Sequence, residues 1–148
     1  MGWAQKHGLY TIIDLHGAPG SQNGYDNSGQ RTNSPQWALD STNVNATLTI
    51  IQVIAAQLGP MVDAIELLNE VVGFLGSVWD SAVRGYWKSG YEVVRQTAGD
   101  AILVVIGDAF ETVDVRTFLV NYRLLRARLT FCLCRTGRGS SRTRKTTE

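Results

Sequence analysis

Cysteine is nearly absent from these 148 residues: there are two, Cys132 and Cys134, one residue apart. A disulfide between such near neighbours would be strained, and two thiols make at most half of a tetrahedral zinc site. They read as unpaired thiols, so neither a disulfide framework nor a metal site is expected. Histidine is as scarce, with only His7 and His16. Long apolar runs are missing as well. None reaches the roughly 18–20 residues that a membrane span needs, so no membrane partner is expected. No Gly-x-Gly-x-x-Gly turn follows any strand-like run and there is no P-loop, which leaves nucleotide binding without support and no cofactor to expect. The start, Met1 to His7, has no apolar stretch after a basic residue and is not a leader peptide. It reads as part of an amphipathic helix stopped by Gly8, which implies either a cytosolic protein or a true beginning further upstream.

The net charge of +1 conceals an asymmetry. Residues 1–121 hold six Lys/Arg against twelve Asp/Glu, a net of −6, whereas residues 122–148 hold eight Lys/Arg against one Glu, a net of +7. So sharp a break separates two segments of different origin. The expectation is one domain over residues 1–118 and an unrelated, irregular, disordered basic tail over 119–148, such as a frame change or retained intron would produce. The tail has no helical face and no aromatic residues interleaved for base stacking, so no nucleic acid is expected as a partner.

Along the domain, short apolar runs alternate with amphipathic helices. Tyr10 to Leu15, Ala64 to Leu68 and Ala101 to Ile106 each read as a strand buried on both faces. Between the first two, a long polar loop through about Asp40 is followed by a helix capped by Ser41 or Thr42. Its Val44, Leu48, Ile51, Ala55 and Leu58 keep the helical period, and Gly59-Pro60 ends it. A second helix from about Val78 to Ala98 carries Trp79, Val83, Tyr86, Trp87, Tyr91 and Val94 on one face and stops at Gly99. An α-β-α-β-α-β order predicts an α/β fold with a parallel sheet and right-handed crossovers, compatible with either a (β/α)8 barrel or an open doubly wound sheet.

Polar residues cluster where the strands end: His16, then Asn69 and Glu70, then Asp108. In parallel α/β folds that edge carries the chemistry. A carboxyl at the end of a buried strand is partly desolvated and can serve as a general acid near neutral pH, so Glu70 is the leading candidate. A turn or capping role is its bland alternative, and for His16 the bland alternative is a buried ring satisfied by a backbone carbonyl. The loop from Gly20 to Gly29 mixes donors and acceptors with the ring of Tyr25, a combination that suits carbohydrate and equally a solvated loop. Asn45-Ala46-Thr47 fits the N-glycosylation pattern, which matters only in a secreted protein.

The stretch Ile13-Asp14-Leu15-His16-Gly17-Ala18-Pro19-Gly20-Ser21-Gln22-Asn23-Gly24-Tyr25-Asp26-Asn27-Ser28-Gly29 strongly resembles fungal exo-β-1,3-glucanases of glycoside hydrolase family 5. Ile65-Glu66-Leu67-Leu68-Asn69-Glu70 resembles the same family's fourth strand, and Asp108-Ala109-Phe110 the end of its fifth. The resemblance covers about residues 1–118. It implies a partial (β/α)8 TIM barrel, about strands 3 to 5 with their helices, followed by the basic tail. It also implies a retaining hydrolase that releases glucose from β-1,3-glucan as a monomer, extracellular or in the cell wall. By that likeness Glu70 is the acid/base, Asn69 binds the 2-hydroxyl, His16 helps to floor the cleavage subsite, and Tyr25, Asp26 and Asn27 line the glucose pocket. Retention requires a second carboxylate about 5–5.5 Å from the first. The family's nucleophile lies on strand seven, which the resemblance does not reach, and neither Asp108 nor Glu111 matches it. The chain alone is therefore expected to be inactive, the alternative being a non-catalytic glucan-binding remnant. Val71 stands where the family usually has Pro after Asn-Glu, a departure that leaves the aim of Glu70 less fixed by its own turn.

Overall fold

The computed structural model describes residues 2–110. The basic tail with Cys132 and Cys134, and Glu111, lie outside the described residues. Helix α1 (Gly2–Lys6) leads to β1 (Ile12–Asp14), α2 (Ser41–Leu58), β2 (Ala64–Glu66), α3 (Ser77–Ala98) and β3 (Leu103–Val105). Gly8 follows α1 at φ +67, the left-handed conformation in which helices commonly stop.

The three strands are parallel and lie in sequence order, β1-β2-β3. A right-handed crossover that always steps to the next position winds the sheet in one direction and keeps its helices on one face, unlike a doubly wound sheet, whose order reverses. Consistent with this, α2 packs on α3. Register sets Ile13 beside Ile65 and Ile65 beside Val104, and this row packs toward the helices, with Ile65 and Val104 in the core. Because strand side chains alternate, the next row, Asp14 beside Glu66 beside Val105, points to the opposite face.

The strands are shorter than the apolar runs suggest, and β1 is not buried on both faces. Ile12 is 59% exposed and Tyr10 89%. Among the described residues β1 pairs on one side only, with β2, and no helix covers Ile12 as α2 and α3 cover the row of Ile65 and Val104. The ladder does continue past the strand ends, through Leu15 N to Glu66 O (3.4 Å), Leu67 N to Val105 O (3.1 Å) and Asn69 N to Leu15 O (3.0 Å).

Helix α2 is capped one residue earlier than its hydroxyls suggest. The Asp40 carboxylate accepts from Thr42 N and Thr42 Oγ1, and these bonds hold it below the usual carboxylate range. Over Ser41–Met61 the helix with its following turn reaches a mean hydropathy of 1.3 and is long enough to cross a membrane, although Thr, Asn and Gln interrupt any contiguous apolar run. One face packs on the core through Thr47, Ile51 and Ala55, while Asn45, Thr49, Gln52 and Gln57 face outward together with Ile50 and Val53.

The centre of the core is aromatic. Trp37, from the long loop, is fully buried and meets Tyr86 edge-on at 5.1 Å and Trp79 at 6.3 Å between ring centroids. Each ring's polar atom is satisfied: Trp37 Nε1 donates to Thr47 Oγ1 (3.0 Å), Trp79 Nε1 to Val72 O, and Tyr86 OH to Leu67 O (2.7 Å). Burial pushes the Tyr86 phenol far above its ordinary value, so it acts as a fixed donor.

Candidate active site

The loop after β1 folds as a compact unit rather than a solvated one. Ser21, Gln22, Asn23, Gly24 and Ser28 are all buried. The Ser21 and Ser28 hydroxyls share a hydrogen bond of 2.7 Å, and Gly24 N donates to Ser21 Oγ at 2.8 Å. Gly24, at φ +78, has no room for a side chain, because a Cβ there would sit 2.4 Å from Thr32 O. The chain can turn back at this point only because the residue is glycine.

Two buried amides tie this loop to the mouth of β2. Gln22, with no exposed surface, donates from Nε2 to His16 O (3.1 Å) and Asn69 O (3.0 Å) and accepts from Ala18 N (3.1 Å). Asn23 donates from Nδ2 to Glu70 O (3.0 Å) and to Asn27 Oδ1 (3.3 Å), and its own Oδ1 accepts from Tyr25 N (2.7 Å). Residues from two loops are thereby locked together at one edge of the sheet.

Glu70 sits half-buried at the centre of that edge in a left-handed conformation, φ +46. A non-glycine residue held there costs roughly 1–2 kcal/mol and persists only where its surroundings over-determine it. The carboxylate Oε2 accepts a hydrogen bond from Asn27 Nδ2, so the side chain is turned toward the β1 loop. The neighbouring Asn69 Nδ2 is buried and has no hydrogen-bond partner among the described residues. Together with Glu66, Val71, Asp108 and Phe110, Asn69 and Glu70 line a cleft along the strand ends.

His16 lies on the open side of this edge, its side chain 60% exposed, with Nδ1 2.5 Å from Asp14 Oδ2. It is neither buried nor bonded to a backbone carbonyl through its ring, as the bland reading expects; a carboxylate holds it instead. That bond raises its pKa above the ordinary value, and the nearby charges of Asp14, Glu70 and Glu66 reinforce the rise against a smaller effect of burial. Burial pushes Glu66 above the usual carboxylate range, with Asp14 and Glu70 adding to the shift and His16 opposing it.

Of the residues singled out in the sequence, His16, Asn27, Asn69 and Glu70 come together at this edge. Tyr25 and Asp26 line an adjoining groove with Arg31, Asn33, Phe74 and Leu75. There the Tyr25 ring is half exposed and Asp26 pairs with Arg31 at 3.4 Å. Asp108 accepts from Phe110 N at 3.0 Å and shapes its own turn. Sequence reasoning passed over Asp14, Glu66, Gln22 and Asn23. The first two carry a signal, a charge inside an otherwise apolar strand; the buried amides look like any other polar loop residues.

Sheet and site together define an α/β protein that gathers its polar side chains at the carboxyl ends of parallel strands, with the carboxylate of Glu70 held by a loop amide. The family model Cellulase (glycosyl hydrolase family 5) matches residues 1–123. Similar proteins include glucan 1,3-beta-glucosidase 2 of Wickerhamomyces anomalus, 44% identical over 76% of this chain and 26% of the relative. Glucan 1,3-beta-glucosidases of Candida oleophila (40% identical, 76% of this chain, 27% of the relative) and Blumeria graminis (44% identical, 73% and 25%) match in the same way. The chain spans about a quarter of the length of these relatives. It belongs to glycosyl hydrolase family 5.

Proposed function

We propose that this chain carries the acid/base half of a retaining β-1,3-glucanase site, and that its three strands are an arc of a closed (β/α)8 barrel, strands 3 to 5. The reading rests on one observation above all: the Glu70 carboxylate is fixed at a strand mouth by Asn27, next to an Asn69 amide whose donor is buried without a partner among the described residues. An orphaned donor of that kind is costly unless a ligand takes it up, and a sugar hydroxyl is a fitting acceptor. Glu70 hands a proton to the departing glycosidic oxygen and later takes one from water. Asn69 donates to a hydroxyl of the sugar being cleaved. His16, charged or neutral according to pH, borders the same sugar. Tyr25 and Asp26 contact the substrate from the adjoining groove.

The nucleophile belongs to a part of the site outside the described residues. The substrate is a β-1,3-glucan, in the extracellular or cell-wall setting that the family likeness implies. Titration of laminaritriose into the isotope-labelled chain tests the site: resonances of His16, Asn27, Asn69 and Glu70 shift together, and no glucose is released from laminarin. Absent shifts, or shifts confined to the helices, overturn the sugar site. Glucose release abolished by Glu70→Gln would keep the acid/base role and overturn the expectation that this chain alone is inactive.

A further inference from the structure

We propose that Asn23 is a positioning residue for Glu70, acting on its carboxyl through Asn27 and on its backbone directly; the proposal deepens the acid/base reading and rests on it. Asn23 is 5% exposed, in the wall of the groove that Tyr25 and Asp26 line. Both of its amide hydrogens are turned on the machinery around Glu70, and its oxygen accepts from the turn that carries Asn27.

The first link is a choice of orientation. Asn27 can offer Glu70 either its amide nitrogen or its amide oxygen. With Asn23 Nδ2 donating to Asn27 Oδ1 at 3.3 Å, the oxygen is engaged and the nitrogen is left to face the carboxylate. Turned the other way, Asn27 would set two oxygens against each other across the site and two amide donors against each other at Asn23. One buried amide thus determines that the acid/base meets a donor.

The second link is the backbone. The left-handed conformation of Glu70 needs outside support, and Asn23 Nδ2 binds its carbonyl at 3.0 Å, while Val72 N donates to Gln22 O at 3.4 Å. Val71 follows Glu70 with no ring to restrict the turn, and the neighbouring loop supplies the restraint. Glu70's backbone and its side-chain partner therefore answer to the same residue.

Asn23→Asp is the discriminating variant. It keeps the side chain's size and the acceptor for Tyr25 N but loses the donor, and it leaves an oxygen that attracts the Asn27 amide away from Glu70. Asn23→Ala removes both roles and serves where the charged variant folds poorly. The readouts on the full chain are the Asn27 side-chain amide resonance, its response to Glu70→Gln, laminaritriose affinity, and the backbone spectrum of α2 and α3. The expected result is an Asn27 resonance that no longer senses Glu70→Gln and an affinity about tenfold weaker, the size of one lost charge-assisted hydrogen bond, with the helices unchanged. An Asn27 resonance that still senses Glu70→Gln in both variants, at unaltered affinity, overturns the proposal. If the unsubstituted chain binds no laminaritriose yet its Asn27–Glu70 coupling is lost in both variants, the positioning role stands and the sugar reading fails.

Discussion

Asn27 donates a hydrogen bond to the carboxylate of Glu70, joining residues 43 positions apart in sequence across the mouths of β1 and β2. The contact turns a loop residue and a strand-end residue into one unit. It also removes the freedom that Glu70 would have at the end of a short strand, where its own turn does not fix it.

Asn27→Ala should therefore cost stability as well as aim. A hydrogen bond to a charged group contributes about 1.5–3 kcal/mol, and partial exposure puts this one near the lower end. A urea titration should show the midpoint falling without a change in slope. An unaltered midpoint would mean that the bond is not maintained in solution.

The acidic cluster sets a pH dependence of definite sign. His16 titrates in the fold above its ordinary 6.5, so its contribution is complete below about pH 6.5 and is lost as pH rises through the folded value. Glu66 titrates above its ordinary 4.5 because burial disfavours its charge, so its contribution likewise is present below about pH 4.5 and lost as pH rises. Both slopes run the same way, and the melting temperature should fall between pH 5 and pH 8. Asp14→Asn should flatten the upper part of that decline and Glu66→Gln the lower part, raising stability at neutral pH. A melting temperature that climbs over this range would contradict both assignments.

Two glycines of α3 should respond oppositely to alanine. At Gly85, exposed and with nothing within 4 Å of a built Cβ, alanine should stabilise the helix by about 0.5–1 kcal/mol. At Gly90 a Cβ would sit 2.9 Å from Leu67 Cδ1 in a fully buried contact, and overpacking of about 1–3 kcal/mol should outweigh the helical gain. Thermal melts of the two single variants decide it; equal shifts would refute the close contact.

Trp37→Ala should be the most damaging single change in the loop. It removes a fully buried indole, its two aromatic neighbours' contacts and the bond to Thr47, at about 3–5 kcal/mol out of a domain stability on the order of 5–15 kcal/mol. Loss of near-UV ellipticity with much of the helical signal retained is the expected spectrum.

How much of this was legible beforehand depends on the kind of signal. The helices were readable because Ile51 and Ala55, or Trp79, Val83, Tyr86 and Val94, recur at the helical period and because Gly99 stops the second helix. The parallel order followed from alternation of the elements. The exposure of Ile12 was not readable, since a covered strand and an uncovered one share the same apolar residues and differ only in their neighbours. Nor was the cap at Asp40, because the hydroxyls of Ser41 and Thr42 beside it can cap a helix as well. Glu70 and Asn69 could be placed at a strand mouth, and Asn27 could be suspected, but its bond to Glu70 spans two loops and no local pattern encodes it. Gln22 and Asn23 were hidden for a related reason: a buried amide is recognised by its partners, and those lie as far as 47 residues away.

The indole of Trp37 carries one more implication, for anyone who would exchange pieces between related chains. The polar loop that brings Asn23 and Asn27 to Glu70 continues directly into a ring received by Trp79 and Tyr86, both on α3. Transplanting residues 16–40 alone into a foreign scaffold would strand that ring on a surface with no socket for it. A chimaera that inherits the specificity of this edge has to inherit the aromatic seat on the helix as well, which makes loop and helix a single unit of recombination.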